Sequence, residues 1–116
     1  MKHSLDSNDK LRLKSEFDYV REYGKKYVSG ICLLVAAPAR DGKLRCGVIC
    51  GKKYSNKAVL RNRARRIIWE SFRLLKQRIS PAHILFITRK GIAGKKQPEV
   101  ETFILRLLKQ AGLMED

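Results

Sequence analysis

Residues 56–81 read NKAVLRNRARRIIWESFRLLKQRISP, and the periodicity of this stretch decides the fold. Leu60, Ala64, Ile67, Ile68, Ser71 and Leu75 recur at helical intervals and fall within roughly 100° of arc, which makes a core-facing stripe. Asn56 suits the N-cap and Ser80-Pro81 stops the element, so the spacing predicts one long helix over 57–78. Opposite the apolar stripe lie Asn62, Arg66, Trp69 and Arg73. Arg65 and Lys76 sit beside them, and Arg61 and Arg63 occupy the two flanks.

The charges on this helix are one-sided. From Lys52 to Arg78 there are ten Lys or Arg (52, 53, 57, 61, 63, 65, 66, 73, 76 and 78) against one acid, Glu70, a net +9 in 27 residues. A merely solvated face mixes signs and pairs Glu with Lys one turn apart. Here Arg61 opposes Arg65, and Arg66 opposes Arg73 across two turns, a repulsion that implies a phosphate-bearing partner. The whole chain of 116 residues carries a net charge of +15 with a pI near 10.2 and is 44% hydrophobic. That is enough apolar content for one domain with a real core, and an excess of cations suited to a polyanion.

An anionic membrane surface fits poorly, because the basic helix commits its apolar stripe to a core. No apolar run approaches the ~20 residues of a membrane span; the longest, Ile31 to Pro38, has strand length. The N-terminus lacks the apolar segment of a secretory signal. A cytoplasmic protein is expected. Cys32, Cys46 and Cys50 are odd in number and lack zinc-ligand spacing, so they are expected as buried free thiols, with Cys46 and Cys50 facing one side of a strand.

Outward from the helix, Leu44–Gly51 reads as a strand. Arg40-Asp41-Gly42-Lys43 is a turn. Tyr27–Ala37 is β-branched and apolar, one strand with room for a short one before it. The turn between these strands suggests a hairpin. Ser15 and Asp18 form a capping pattern, so a helix should begin near Glu16, carry Phe17, Val20 and Tyr23, and stop at Gly24. Residues 1–13 are expected as a flexible basic tail. Beyond the long helix, His83–Arg89 is a strand and Gly91–Gln97 a basic loop. Pro98 then opens a helix with Val100, Phe103, Ile104, Leu107, Leu108 and Ala111 on one face, ended by Gly112. The order α-β-(β)-β-α-β-α predicts an α+β two-layer sandwich with a small mixed sheet, a single RNA-binding domain over 14–116.

The chemistry expected is binding, with no catalytic residue and no metal site in the protein. His3 and His83 are far apart in the chain, the acids Asp41, Glu70, Glu99, Glu101, Glu115 and Asp116 are scattered, and no Gly-rich phosphate loop is present. Arg, six of the ten bases above, suits forked contacts to phosphates and base edges. No helix-turn-helix precedes the basic helix, which weighs against a DNA groove. Trp69 either stacks on an unpaired base, which favours RNA, or covers the aliphatic stems of its neighbours; the sequence leaves both open.

The stretch Lys52-Lys53, Lys57-Ala58-Val59-Leu60-Arg61-Asn62-Arg63-Ala64-Arg65-Arg66 and Glu70-Ser71-Phe72-Arg73 resembles the signature of bacterial ribonuclease P protein subunits. Support comes from Arg12-Leu13-Lys14-Ser15-Glu16-Phe17, Gly24, Gly47-Val48 and Arg89-Lys90-Gly91, so the resemblance spans about residues 11–112. It implies an α-β-β-β-α-β-α fold with a left-handed β-α-β crossover, against the usual right-handed rule. It also implies a ribonucleoprotein endoribonuclease that removes the 5′ leader of precursor tRNA, with catalysis and Mg2+ held mainly by the RNA subunit. Its partners would be that catalytic RNA and precursor tRNA, with no obligate protein partner.

The resemblance assigns RNA docking to Arg61, Asn62, Arg63, Arg65 and Arg66, with the Lys52-Lys53 pair just before the helix; the residue pattern adds Lys57, Trp69 and Arg73 to the same surface. A leader cleft between the first helix and the sheet would use Phe17, Tyr19, Arg21, Tyr27 and Val35. Arg89, Lys90, Lys95 and Lys96 form a second basic loop. The chain departs from the family at Arg21 and Val35, where aromatics are frequent, and at Trp69, where a base is common. A ribosomal or ribosome-assembly protein is the alternative reading, and a DNA-binding nucleoid protein the next.

Overall fold

The computed structural model of the chain describes residues 5, 7–50 and 54–115. Its elements are α1 (Lys14–Tyr23), β1 (Lys25–Val28), β2 (Cys32–Ala37), β3 (Arg45–Ile49), α2 (Ala58–Leu75), β4 (His83–Thr88) and α3 (Gln97–Gln110). Short 3-10 turns lie at Ser7–Asp9, Lys76–Arg78 and Lys90–Ile92. The strands form one mixed sheet in the order β1-β2-β4-β3. It is the expected α+β sandwich, and β1 is the short strand for which the sequence left room.

The expected hairpin between Tyr27–Ala37 and Leu44–Gly51 is absent. β4 lies between the two strands, antiparallel to β2 and parallel to β3. His83–Thr88 is almost entirely buried, and a strand apolar on both sides belongs at the centre, where both faces are covered. The hairpin that does form is β1 with β2, in the register Val28–Leu33 and Lys26–Val35. β3 and β4 then need a long crossover, which α2 supplies.

One face of the sheet carries the main core. Cys32, Leu34, Cys46, Ile84 and Phe86 pack there against Ile68, Phe72 and Leu75 of α2 and Ile104, Leu107 and Leu108 of α3. Phe72, outside the predicted stripe, is fully buried, whereas Leu60 is 43% exposed. The first turn of α2 runs past the core, so its buried stripe starts at Ala64. All three cysteines are buried and unpaired.

The other face carries a smaller cluster of Leu11, Val20, Val35 and Leu85, with Phe17 beside it. Gly47 makes this packing possible: a Cβ there would sit 2.6 Å from the Phe17 ring.

The helix and tail boundaries also shift. α1 starts at Lys14, one residue ahead of the expected Ser15 cap, and its cap is Glu16, whose Oε1 accepts the N–H groups of Arg12 (2.8 Å) and Leu13 (2.7 Å). At α2 the Ser55 hydroxyl, not Asn56, accepts the Lys57 N–H. The expected tail over 1–13 is structured in its second half. Lys10 bridges Cys46, the Leu11 N–H donates to the Cys46 carbonyl, and Leu11 is buried. One apolar residue placed on the small core holds this segment down.

Candidate nucleic-acid interface

The basic face of α2 is held by the backbone rather than by acids. Arg61 Nη1 donates to the Ser55 carbonyl at 2.9 Å, Arg63 Nη2 to the Lys95 carbonyl at 3.1 Å, and Arg65 Nη1 to the Cys50 carbonyl at 3.2 Å. Arg65 Nη2 also donates to Asn62 Oδ1. A carbonyl orients a guanidinium without cancelling its charge, and each Arg keeps most of its five donors. Arg66, Asn62 and Lys57 are exposed. One member of the polar stripe, Arg73, and its neighbour Lys76 differ. Arg73 is paired with Glu70 through two contacts, and Lys76 with Asp9 at 3.1 Å. Those two cations are largely neutralised within the chain.

Trp69 is partly buried. Its ring meets Phe72 edge-on, 6.0 Å between centroids, and the Lys10 ammonium lies 5.0 Å from its centroid. Val59, Asn62, Arg65, Arg66 and Trp69 border an open hollow of about 520 Å³. The second basic segment joins this surface through the Arg63–Lys95 bond. Arg89 donates to the Ser29 carbonyl at 3.2 Å and lines a smaller hollow with Tyr54 and Lys90. Lys90 and Lys96 are exposed, while Lys95 lies 3.9 Å from Glu99. Lys52 and Lys53 lie outside the described residues.

The sheet face opposite α2 continues past α1 as an uncovered strip. The register aligns Val28, Leu33, Ile87 and Ile49 in one row across all four strands. Val28 is 57% exposed and the other three are half-buried. Phe17 stands at the Gly47 end of this row, and Lys26 borders it on β1.

The family model for ribonuclease P matches residues 5–112. The chain belongs to the ribonuclease P protein family. A curated relative in this family, the ribonuclease P protein component of Herpetosiphon aurantiacus, is 34% identical over 113 residues, covering 97% of this chain and 91% of the relative. That of Roseiflexus castenholzii is 36% identical over 108 residues, covering 91% and 88%. Among solved structures, the Thermotoga maritima RNase P protein superposes with a TM-score of 0.77 at 26% identity, covering 87% of this chain and 96% of that one. The Staphylococcus aureus RNase P protein shares the fold, with a TM-score of 0.82 at 22% identity over 92% of this chain and 98% of that one.

Within this ribonuclease P family fold, the predicted cleft residues do not all converge. Phe17 borders the open strip, and Arg21 is exposed on the last turn of α1. Val35 is 4% exposed and forms packing beneath α1. Tyr27 lies on the other sheet face, toward α2 and α3, because it pairs with Leu34 of the main core. Tyr19 is occupied at the far end of the sheet: its hydroxyl donates to the Pro38 carbonyl at 2.8 Å and Arg40 stacks on its ring at 3.9 Å. Sequence reading missed Val28, Leu33, Ile49 and Ile87. Strict alternation within each strand would have put each on a face, but only the register aligns them.

His83 is buried, with Nε2 3.0 Å from Asp41 Oδ1. Asp41 is held well below the usual carboxylate range, first by the Arg45 guanidinium and then by His83 and the Lys43 N–H. Among the described residues no group of three His, Cys, Asp or Glu is placed to hold a metal ion. No described helix is long and apolar enough to cross a membrane.

Proposed function

We propose that this chain is the RNA-docking subunit of a tRNA-processing ribonucleoprotein, in which a catalytic RNA cuts the 5′ leader from precursor tRNA. Family membership supports the particle and its endoribonuclease activity. One observation carries the division of labour: Arg61, Arg63 and Arg65 are fixed by backbone carbonyls and keep their charge for an outside partner. In this reading α2, with Arg66, Asn62, Lys57 and the Lys52-Lys53 pair, meets the catalytic RNA. The second basic loop extends that contact, and magnesium chemistry belongs to the RNA. The protein works in the cytoplasm, where its RNA partners are.

The apolar strip of Phe17, Val28, Leu33, Ile49 and Ile87 suits a single-stranded leader, whose bases lay their faces on it while Lys26 and Arg21 meet phosphates. Folding an RNA and capturing a leader both concentrate negative charge, and a basic surface offsets that repulsion by releasing counterions.

Reconstitution tests the proposal. Adding the protein to the catalytic RNA should lower the magnesium needed for cleavage and favour precursor over mature tRNA. Cleavage at low magnesium that is the same with and without protein would overturn it. The RNA that co-purifies with the chain separates this reading from a ribosomal one.

A further inference from the structure

We propose that the hollow at Val59, Asn62, Arg65, Arg66 and Trp69 receives one unpaired nucleobase of the docked RNA, with the Trp69 indole as its stacking platform. This rests on α2 being the RNA-docking face and adds what that face reads.

Three features of the hollow converge on a base. The indole is pre-set, because its edge-on contact with Phe72 anchors it to the core while Trp69 also borders the hollow. Val59 is 76% exposed, an aliphatic side chain left uncovered among guanidinium groups. Together they give two apolar surfaces that a flat heterocycle would cover. Asn62 spends its Oδ1 on Arg65, and its amide Nδ2 has no partner among the described residues, so it remains to donate to an acceptor on a base edge.

The charge selects the ligand class. Among the described residues no carboxylate borders the hollow, Arg65 and Arg66 do, and Lys10 adds an ammonium against the indole. A cationic ligand would be repelled, whereas an anionic strand has phosphates on both sides of each base to meet these cations. A paired base has its faces stacked inside the helix, so the occupant must be unpaired, from a loop, a bulge or a single strand.

Trp69 is the only tryptophan in the chain, so its fluorescence reports on this site alone. Titrations would use a short oligoadenylate, the catalytic RNA, and an inorganic polyphosphate that carries the charge without bases. Quenching by both RNAs and none by polyphosphate is expected. W69L, which keeps the apolar bulk, should weaken RNA binding by roughly five- to a hundredfold with polyphosphate affinity unchanged; W69F should keep most of it.

Equal quenching by polyphosphate overturns the proposal, as does full RNA affinity in W69L; the indole would then only cover its neighbours. If W69L does not fold, the wild-type quenching comparison decides. Tight binding of the catalytic RNA without quenching refutes the base site and leaves the docking reading intact. Quenching by oligoadenylate with no affinity for the catalytic RNA does the reverse.

Discussion

The salt dependence of RNA binding follows from which cations the fold leaves uncompensated. On α2 and at Lys57 just before it, the cations Lys57, Arg61, Arg63, Arg65 and Arg66 have no carboxylate partner among the described residues, while Arg73 is paired with Glu70 and Lys76, just after the helix, with Asp9. Each phosphate neutralised contributes roughly 0.7–0.9 to the fall of log K with log salt, so five give a slope of about −4. A fourfold rise in salt then costs the wild type on the order of 200-fold in affinity.

Arg66→Ala removes an exposed side chain that has no ion-pair partner among the described residues, so the fold should be nearly unaffected. Its slope should be shallower by about 1, and the same salt step should cost only about 60-fold. Glu70→Gln should act in the opposite direction, because it removes the carboxylate that Arg73 holds and frees a charge for phosphate. Anisotropy of labelled catalytic RNA, titrated at several potassium chloride concentrations, measures all three slopes. Parallel lines for wild type, R66A and E70Q would refute the reasoning, as would a shallower line for E70Q.

Further outcomes follow from the rest of the fold. The depressed Asp41 carboxyl favours the folded state above the ordinary Asp range near ~3.9, and that contribution is lost as pH falls through the folded value. Asp41→Asn should therefore lower the thermal midpoint at neutral pH, with the gap to wild type closing as pH drops below about 4; a pH-independent gap would contradict this. A Cβ at Gly91 would overlap the Gly30 carbonyl, whereas one at Gly30 meets nothing within 4 Å. Calorimetry should thus show Gly91→Ala destabilised by ~1–3 kcal/mol and Gly30→Ala close to neutral. Burial pushes the Cys32 thiol up to about 12 and the Cys46 thiol well above its ordinary value. In native protein at mildly alkaline pH these two thiols should therefore react slowly with a disulfide reagent and be released only in denaturant.

Much was legible in the sequence because it depends on near neighbours along the chain. The two-faced pattern of α2, the amphipathic α3, the short α1 and the clustering of charge are read at intervals of one to eleven residues, and all stand in the fold. What failed was non-local. The Asp41-Gly42 turn looked like a hairpin, but His83–Thr88, more than forty positions later in the chain, has the stronger claim to the sheet centre and separates the two strands. The β1–β2 pairing places Tyr27 with the main core beside Leu34, and the insertion of β4 lines up Val28, Leu33, Ile87 and Ile49 as one open row. The tertiary structure likewise decided which cations are spent internally, since the distant Asp9 reaches Lys76. Helical periodicity records which side a residue faces locally; which strand it pairs with, and whether its charge meets an acid, are settled by competition for burial among segments far apart in the chain.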